Sequence, residues 1–95
     1  GEGHQKYVRF HNDEKHLSGK YVNVLKEGFV SIDMAQNILV VKTVSGMAMA
    51  VAAAIDAMKY PEIVGTIAGD DTIMMAVRTV EDTKSLMNQI LQLVH

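Results

Sequence analysis

Asp70 and Asp71 are the residues of this sequence whose type and spacing point most directly to chemistry. Adjacent carboxylates repel one another, and a bound cation relieves that repulsion through charge-assisted hydrogen bonds. A forked donor such as a guanidinium, or an ammonium group, suits the pair. The competing reading is a solvated acidic turn, because Asp is common at turns.

The other candidate groups give less. His4, His11 and His16 are separated by seven and five residues in a polar segment, a spacing that fixes no metal geometry. Ser45 has no base near it in sequence, and no histidine lies between His16 and the terminal His95, so nucleophilic catalysis has no partners and no enzyme is expected. With no cysteine there is neither a disulfide framework nor a thiolate metal site. No metal or cofactor is expected.

Charge agrees with a cationic ligand. Residues 1–27 carry +1 and the remainder −3, giving the net −2 of the whole. The part holding the Asp pair therefore favours a small cation over an anion. That balance also argues against a phosphate-contacting surface, which needs a dense Lys/Arg stripe. No apolar run reaches the ~18 residues of a membrane span. A cytoplasmic location and no membrane partner are expected.

The elements that must position the pair can be read from periodicity. At 95 residues the chain has room for one hydrophobic core. Residues 1–16, polar apart from Tyr7, Val8 and Phe10, read as a linker or tail from a preceding domain, with the folded unit spanning 17–95. Ser18 is placed to cap a short helix carrying Tyr21, Val24 and Leu25, and Gly28 stands where a left-handed stop is expected. Val30, Ile32 and Met34 alternate with Ser31 and Asp33, as a half-buried strand requires. Ala35-Gln36-Asn37 turns the chain into a β-branched run, Ile38 to Thr43, completing a hairpin.

Gly46 to Tyr60 is Ala-rich and reads as a helix capped by Ser45 and ended by Pro61. Met47, Val51, Ala54, Ile55 and Met58 form one face; Met49, Ala50 and Ala53 keep another apolar, so a second subunit is expected to cover it. Ile63 to Ala68 and Thr72 to Arg78 form a second hairpin with Gly69-Asp70-Asp71 at its tip. Thr79 and Asp82 approximate a capping box before the amphipathic stretch Leu86, Met87, Ile90, Leu91 and Val94. The expectation is an α+β two-layer domain: a four-stranded, mainly antiparallel sheet with two main helices packed on it in the order β-β-α-β-β-α, plus a short N-terminal helix.

The string Gly65-Thr66-Ile67-Ala68-Gly69-Asp70-Asp71-Thr72 is similar to the signature of the arginine repressor C-terminal domain. The resemblance extends from about Leu17 to the end, through the first hairpin, the Ser45-Gly46 helix start and the segment Arg78 to Thr83. It implies a transcriptional regulator of arginine metabolism whose trimers pair into a hexamer on binding L-arginine between subunits. DNA would be contacted only by a preceding N-terminal domain.

Carried over by position, Asp70 and Asp71 match the family's ligand-binding acids, and Ala48 and Met49 its helix-borne ligand contacts. Met49 stands where many members carry Gln. A thioether cannot donate a hydrogen bond as an amide can. The alternative is therefore a paralogous assembly module with weak or altered ligand sensing, forming mixed oligomers, in which Met49 fills an interface.

Overall fold

A computed structural model describes residues 19–95. Residues 19–28 are helical (α1). They are followed by strand β1 (Phe29–Ala35), strand β2 (Ile38–Thr43), helix α2 (Ala48–Ala57), strand β3 (Ile63–Ala68), strand β4 (Thr72–Val77) and helix α3 (Val80–Val94). The expected cap Ser18 and the segment 1–16, with its three histidines, lie outside the described residues.

The four strands form one sheet in the order β1-β2-β4-β3, and every pairing is antiparallel. The α+β, β-β-α-β-β-α architecture read from the sequence is the one observed. Both main helices cover one face, α2 over β3 and β4 and α3 against β1. Leu39 and Val41 of β2 and Ile73, Met75 and Val77 of β4 point to that face, where they meet Val51 and Ile55 of α2 and Leu86 and Ile90 of α3. The two central strands supply the fully buried sheet residues because only they have neighbours on both sides.

Three local expectations give way to other causes. Val30 was expected to share a face with Ile32 and Met34, but the β1–β2 register shifts between Phe29 and Ser31, and Val30 is left exposed. One inserted residue turns a side chain to the opposite face of a sheet. Helix α2 is shorter than its apolar pattern: it ends at Ala57 with Met58 as its cap, and Lys59 takes the left-handed conformation. The helix therefore ends four residues before Pro61. Ser45 does not cap α2 either; the N-cap is Met47, which has no side-chain cap bond. At α3 the Thr79 hydroxyl does accept from the Asp82 N–H, as expected.

Gly28 is glycine for a reason the sequence did not suggest. It is buried, and a Cβ built there would lie 2.6 Å from Cγ2 of Val51 and 3.3 Å from Cε of Met47. Only Gly46 among the described glycines has a positive φ, so Gly28 serves close packing of the chain against α2 and not a left-handed stop. Its carbonyl also accepts from the Val44 N–H at 2.8 Å. Gly28→Ala is expected to cost about 1–3 kcal/mol, the range for forced overpacking. In thermal melts followed by circular dichroism this would lower Tm by roughly 4–8 °C per kcal/mol. An unchanged Tm at matched protein concentration would show that the junction yields without cost.

Candidate functional site

The acidic turn is positioned by the sheet order. Because β2 runs antiparallel to β4, the end of β2 lies beside the start of β4, with Lys42 opposite Thr72. The β2–α2 connection and the β3–β4 turn therefore meet at one end of the domain. Backbone bonds hold them there: the Thr43 N–H donates to the Asp71 carbonyl at 2.8 Å, and the Gly46 and Ala48 N–H groups donate to the Asp70 carbonyl at 3.2 and 3.1 Å. Gly46, at φ +82°, makes the bend that brings α2 into place.

The side chains add a second layer of ties. Ser45 Oγ donates to Asp70 Oδ2 at 3.1 Å, and Thr72 Oγ1 donates to Asp71 Oδ1 at 2.9 Å. Lys42 Nζ in turn donates to Thr72 Oγ1 at 3.1 Å. Both Asp residues are exposed. A carboxylate offers about four lone-pair sites, so one hydroxyl partner apiece leaves both able to accept a further forked donor. The first turn of α2 lies against them, and the positive end of a helix dipole favours negative charge at that point.

The four residues singled out in the sequence are only partly gathered. Asp70, Asp71 and the amide of Ala48 share the site directly. The Ala48 side chain is fully buried and can offer nothing from its methyl group to a ligand at the surface. Met49, the next residue, is 72% exposed on the outer side of the same helical turn.

Three polar neighbours carry no site role in the sequence reading: Ser45, read as a cap, Lys42, read as a strand residue, and Thr72, read as a strand residue and the end of the signature string. Thr72 adjoins the pair in sequence, and a hydroxyl beside a carboxylate was the available signal. Lys42 becomes visible only with the strand register.

A second polar feature lies along α2 toward its C-terminal end. Thr66 Oγ1 is buried and has no hydrogen-bond partner among the described residues, in a groove of about 230 Å3 lined by Asp56, Lys59 and Tyr60 among others. A buried hydroxyl without a partner is uncommon in folded proteins. Burial, and then the charge of Glu62, push the Tyr60 phenol above its ordinary pKa of 10.0. Ten residues of helix at 1.5 Å per residue set this groove about 12–15 Å from the acidic turn. Among the described residues no helix is long and apolar enough to cross a membrane, and no cluster of His, Cys, Asp and Glu could hold a metal.

Comparison with known proteins adds a family. A family model described as the arginine repressor, C-terminal domain, matches residues 25–92. The chain is similar to a protein named arginine repressor from Lachnoclostridium phytofermentans, 60% identical over 93 residues that cover 98% of this chain and 61% of that protein. It is likewise similar to the arginine repressor of Lachnospira eligens, 63% identical over 89 residues, 94% of this chain and 59% of that protein. A third, from Ruminiclostridium cellulolyticum, is 48% identical over 93% of this chain and 59% of its own length. The chain thus spans about three fifths of the length of the curated relatives it matches.

Proposed function

The chain belongs to the arginine repressor family, in the part that family's C-terminal domain occupies, and we propose that it is the ligand-sensing and oligomerising domain of a transcriptional regulator of arginine metabolism. L-arginine binds between subunits and stabilises a hexamer built from trimers. The observation that carries this reading is the Asp70–Asp71 turn, two exposed carboxylates tied by backbone and hydroxyl bonds to the start of α2. Their charge and fixed geometry suit a guanidinium, which donates in a planar fork.

Ala48 and Met49 contribute from the first turn of α2. The Ala48 N–H holds the Asp70 carbonyl in place, and the Met49 N–H beside it suits the carboxylate that any free amino acid carries. The DNA-reading domain precedes this chain in the full-length protein, joined through the residue 1–16 side. Ligand uptake and assembly are then linked: arginine that prefers the hexamer stabilises it, and the hexamer sets the spacing of DNA-reading domains. The relatives are named as repressors, which supports a regulatory role without turnover for this chain, and a cytoplasmic location belongs to the same reading.

Titration calorimetry with L-arginine, L-lysine and L-citrulline, with mass measured by light scattering at each end point, tests the reading. Arginine is expected to bind and raise the mass, and citrulline, which lacks the cationic fork, to do neither. Equal heats from arginine and citrulline would overturn it.

The second reading, an assembly module with altered sensing, is favoured by one observation: a thioether, 72% exposed, on the first turn of α2. Met49→Gln separates the two by sign. If Met49 faces the ligand, the amide adds about one net hydrogen bond, roughly 0.5–1.5 kcal/mol, and arginine binds tighter. If Met49 fills an interface, the amide is buried unpaired at a cost of roughly 1–3 kcal/mol, and both binding and assembly loosen.

A further inference from the structure

We propose that Lys42 is a positioning residue for the arginine site, acting on Asp71 through the hydroxyl of Thr72; this rests on the reading of the acidic turn as that site. Lys42 and Thr72 are opposite one another across the β2–β4 pairing. Lys42 Nζ donates to Thr72 Oγ1 at 3.1 Å, and the same oxygen donates its proton to Asp71 Oδ1 at 2.9 Å. A hydroxyl has one proton and two lone pairs. When an ammonium occupies a lone pair, the proton is left to the carboxylate, and the three groups form a chain polarised in one direction.

Such chains are cooperative, each bond strengthening the next. The cation thus fixes which way the Thr72 hydroxyl points, and the hydroxyl fixes one oxygen of Asp71. The other oxygen is then presented in a defined orientation on an exposed turn, where a free side chain would sample several rotamers. Holding that rotamer in advance removes an ordering cost that binding would otherwise meet.

The charge of Lys42 has a second consequence. Its nitrogen lies no more than about 6 Å from the Asp71 carboxylate oxygen, the limit set by the two bonds in line. An opposite charge at that distance relieves the repulsion between Asp70 and Asp71 in the empty turn. With Lys42 counted, the empty turn carries a net −1 and matches a singly charged guanidinium. Among the described residues Asp70 has no equivalent cation in its tie: its partner is the neutral Ser45 hydroxyl. The two carboxylates are therefore held differently, and a contribution of Lys42 through hydrogen bonds must pass through Thr72 and Asp71.

The test is a double-mutant cycle on arginine affinity, read by titration calorimetry with Lys42→Met, Thr72→Val and the pair together. Each single change is expected to weaken binding by about fivefold, one hydrogen bond's worth. The double variant should be no weaker than the worse single, since both cut the same chain. Lys42→Arg, which keeps a cationic donor, and Thr72→Ser, which keeps the hydroxyl, should each stay within about twofold of wild type. These conservative variants also keep the test informative should Thr72→Val disturb the strand.

Additive losses in the double variant would overturn the relay, because they would make the two side chains independent. Tighter binding by Lys42→Met would overturn it too, by making Lys42 a charge that repels the ligand. Agmatine, which is arginine without its carboxylate, serves as a third arm. If Lys42→Met weakens arginine but leaves agmatine unchanged, Lys42 contacts the ligand's carboxylate and does not position Asp71. Wild-type protein that takes up no arginine would sink the parent reading and this one with it. Wild-type binding with an additive cycle would sink the relay alone.

Discussion

Replacing either carboxylate of the turn by its amide, Asp70→Asn or Asp71→Asn, is expected to weaken L-arginine binding by about ten- to a hundredfold. That range corresponds to one hydrogen bond to a charged group, about 1.5–3 kcal/mol. The ligand-free fold should be little affected, for a reason visible in the bonding. The ties from the turn to β2 and α2 run through the backbone carbonyls of Asp70 and Asp71, which Asn retains. The amide oxygen of Asn can still accept the Ser45 or Thr72 hydroxyl. What the substitution removes is the negative charge and one of the two acceptor oxygens. Titration calorimetry gives the affinity, and light scattering at matched concentration gives the arginine-dependent gain in mass, which should fall in parallel. Unchanged affinity accompanied by a lowered Tm in the ligand-free chain would mean that the pair is only a turn, and would remove the main support for arginine sensing.

The contrast between backbone and side-chain ties also marks where the sequence was legible. Strand β2 runs from Ile38 to Thr43 and β3 from Ile63 to Ala68 as their apolar runs suggested, because a continuous β-branched stretch between turn residues has few other folds. The acidic tip of the second hairpin was legible for the same reason. The partners of that tip were not. Ser45 looked like a helix cap because a Ser just before an Ala-rich run usually is one, yet its hydroxyl donates to Asp70 from 25 positions away in sequence. The contact exists only because β2 and β4 are neighbours, a fact of sheet order that no local window contains. Gly28 failed in the same way: its missing Cβ answers to Val51 on another helix. The left-handed Lys59 could not be read either, since nothing in its type marks it for a conformation that glycine normally takes.

The apolar pattern of α2 predicts a second subunit on its outer side, and the structure exposes a further apolar surface on the sheet. Met49, Ala50 and Ala53 are exposed there, but two of the three are only methyl groups. The face of the sheet away from the helices carries more. Met74 lies opposite Val40 on one side and Ile67 on the other, with Ile38, Ala76 and Gly65 in the adjoining row. Ile67 is 77% exposed and Met74 51%. Among the described residues nothing covers this face, and continuous apolar patches on soluble domains mark association sites.

Met74→Lys, at the centre of that face, is therefore expected to break the oligomer. An uncompensated charge in a buried contact costs roughly 3–5 kcal/mol, enough to weaken association more than a hundredfold. Light scattering at micromolar concentration should report a lower mass than wild type. Circular dichroism should report an intact fold, because Met74 points away from the core formed by Ile73 and Met75. Ala50→Glu on α2 provides the comparison. If Met74→Lys leaves the mass unchanged while Ala50→Glu lowers it, subunits meet through α2, as the apolar pattern of that helix first suggested. If each lowers the mass to a different species, the two faces serve two interfaces, which is what a hexamer built from trimers requires: a contact within the trimer and another between trimers.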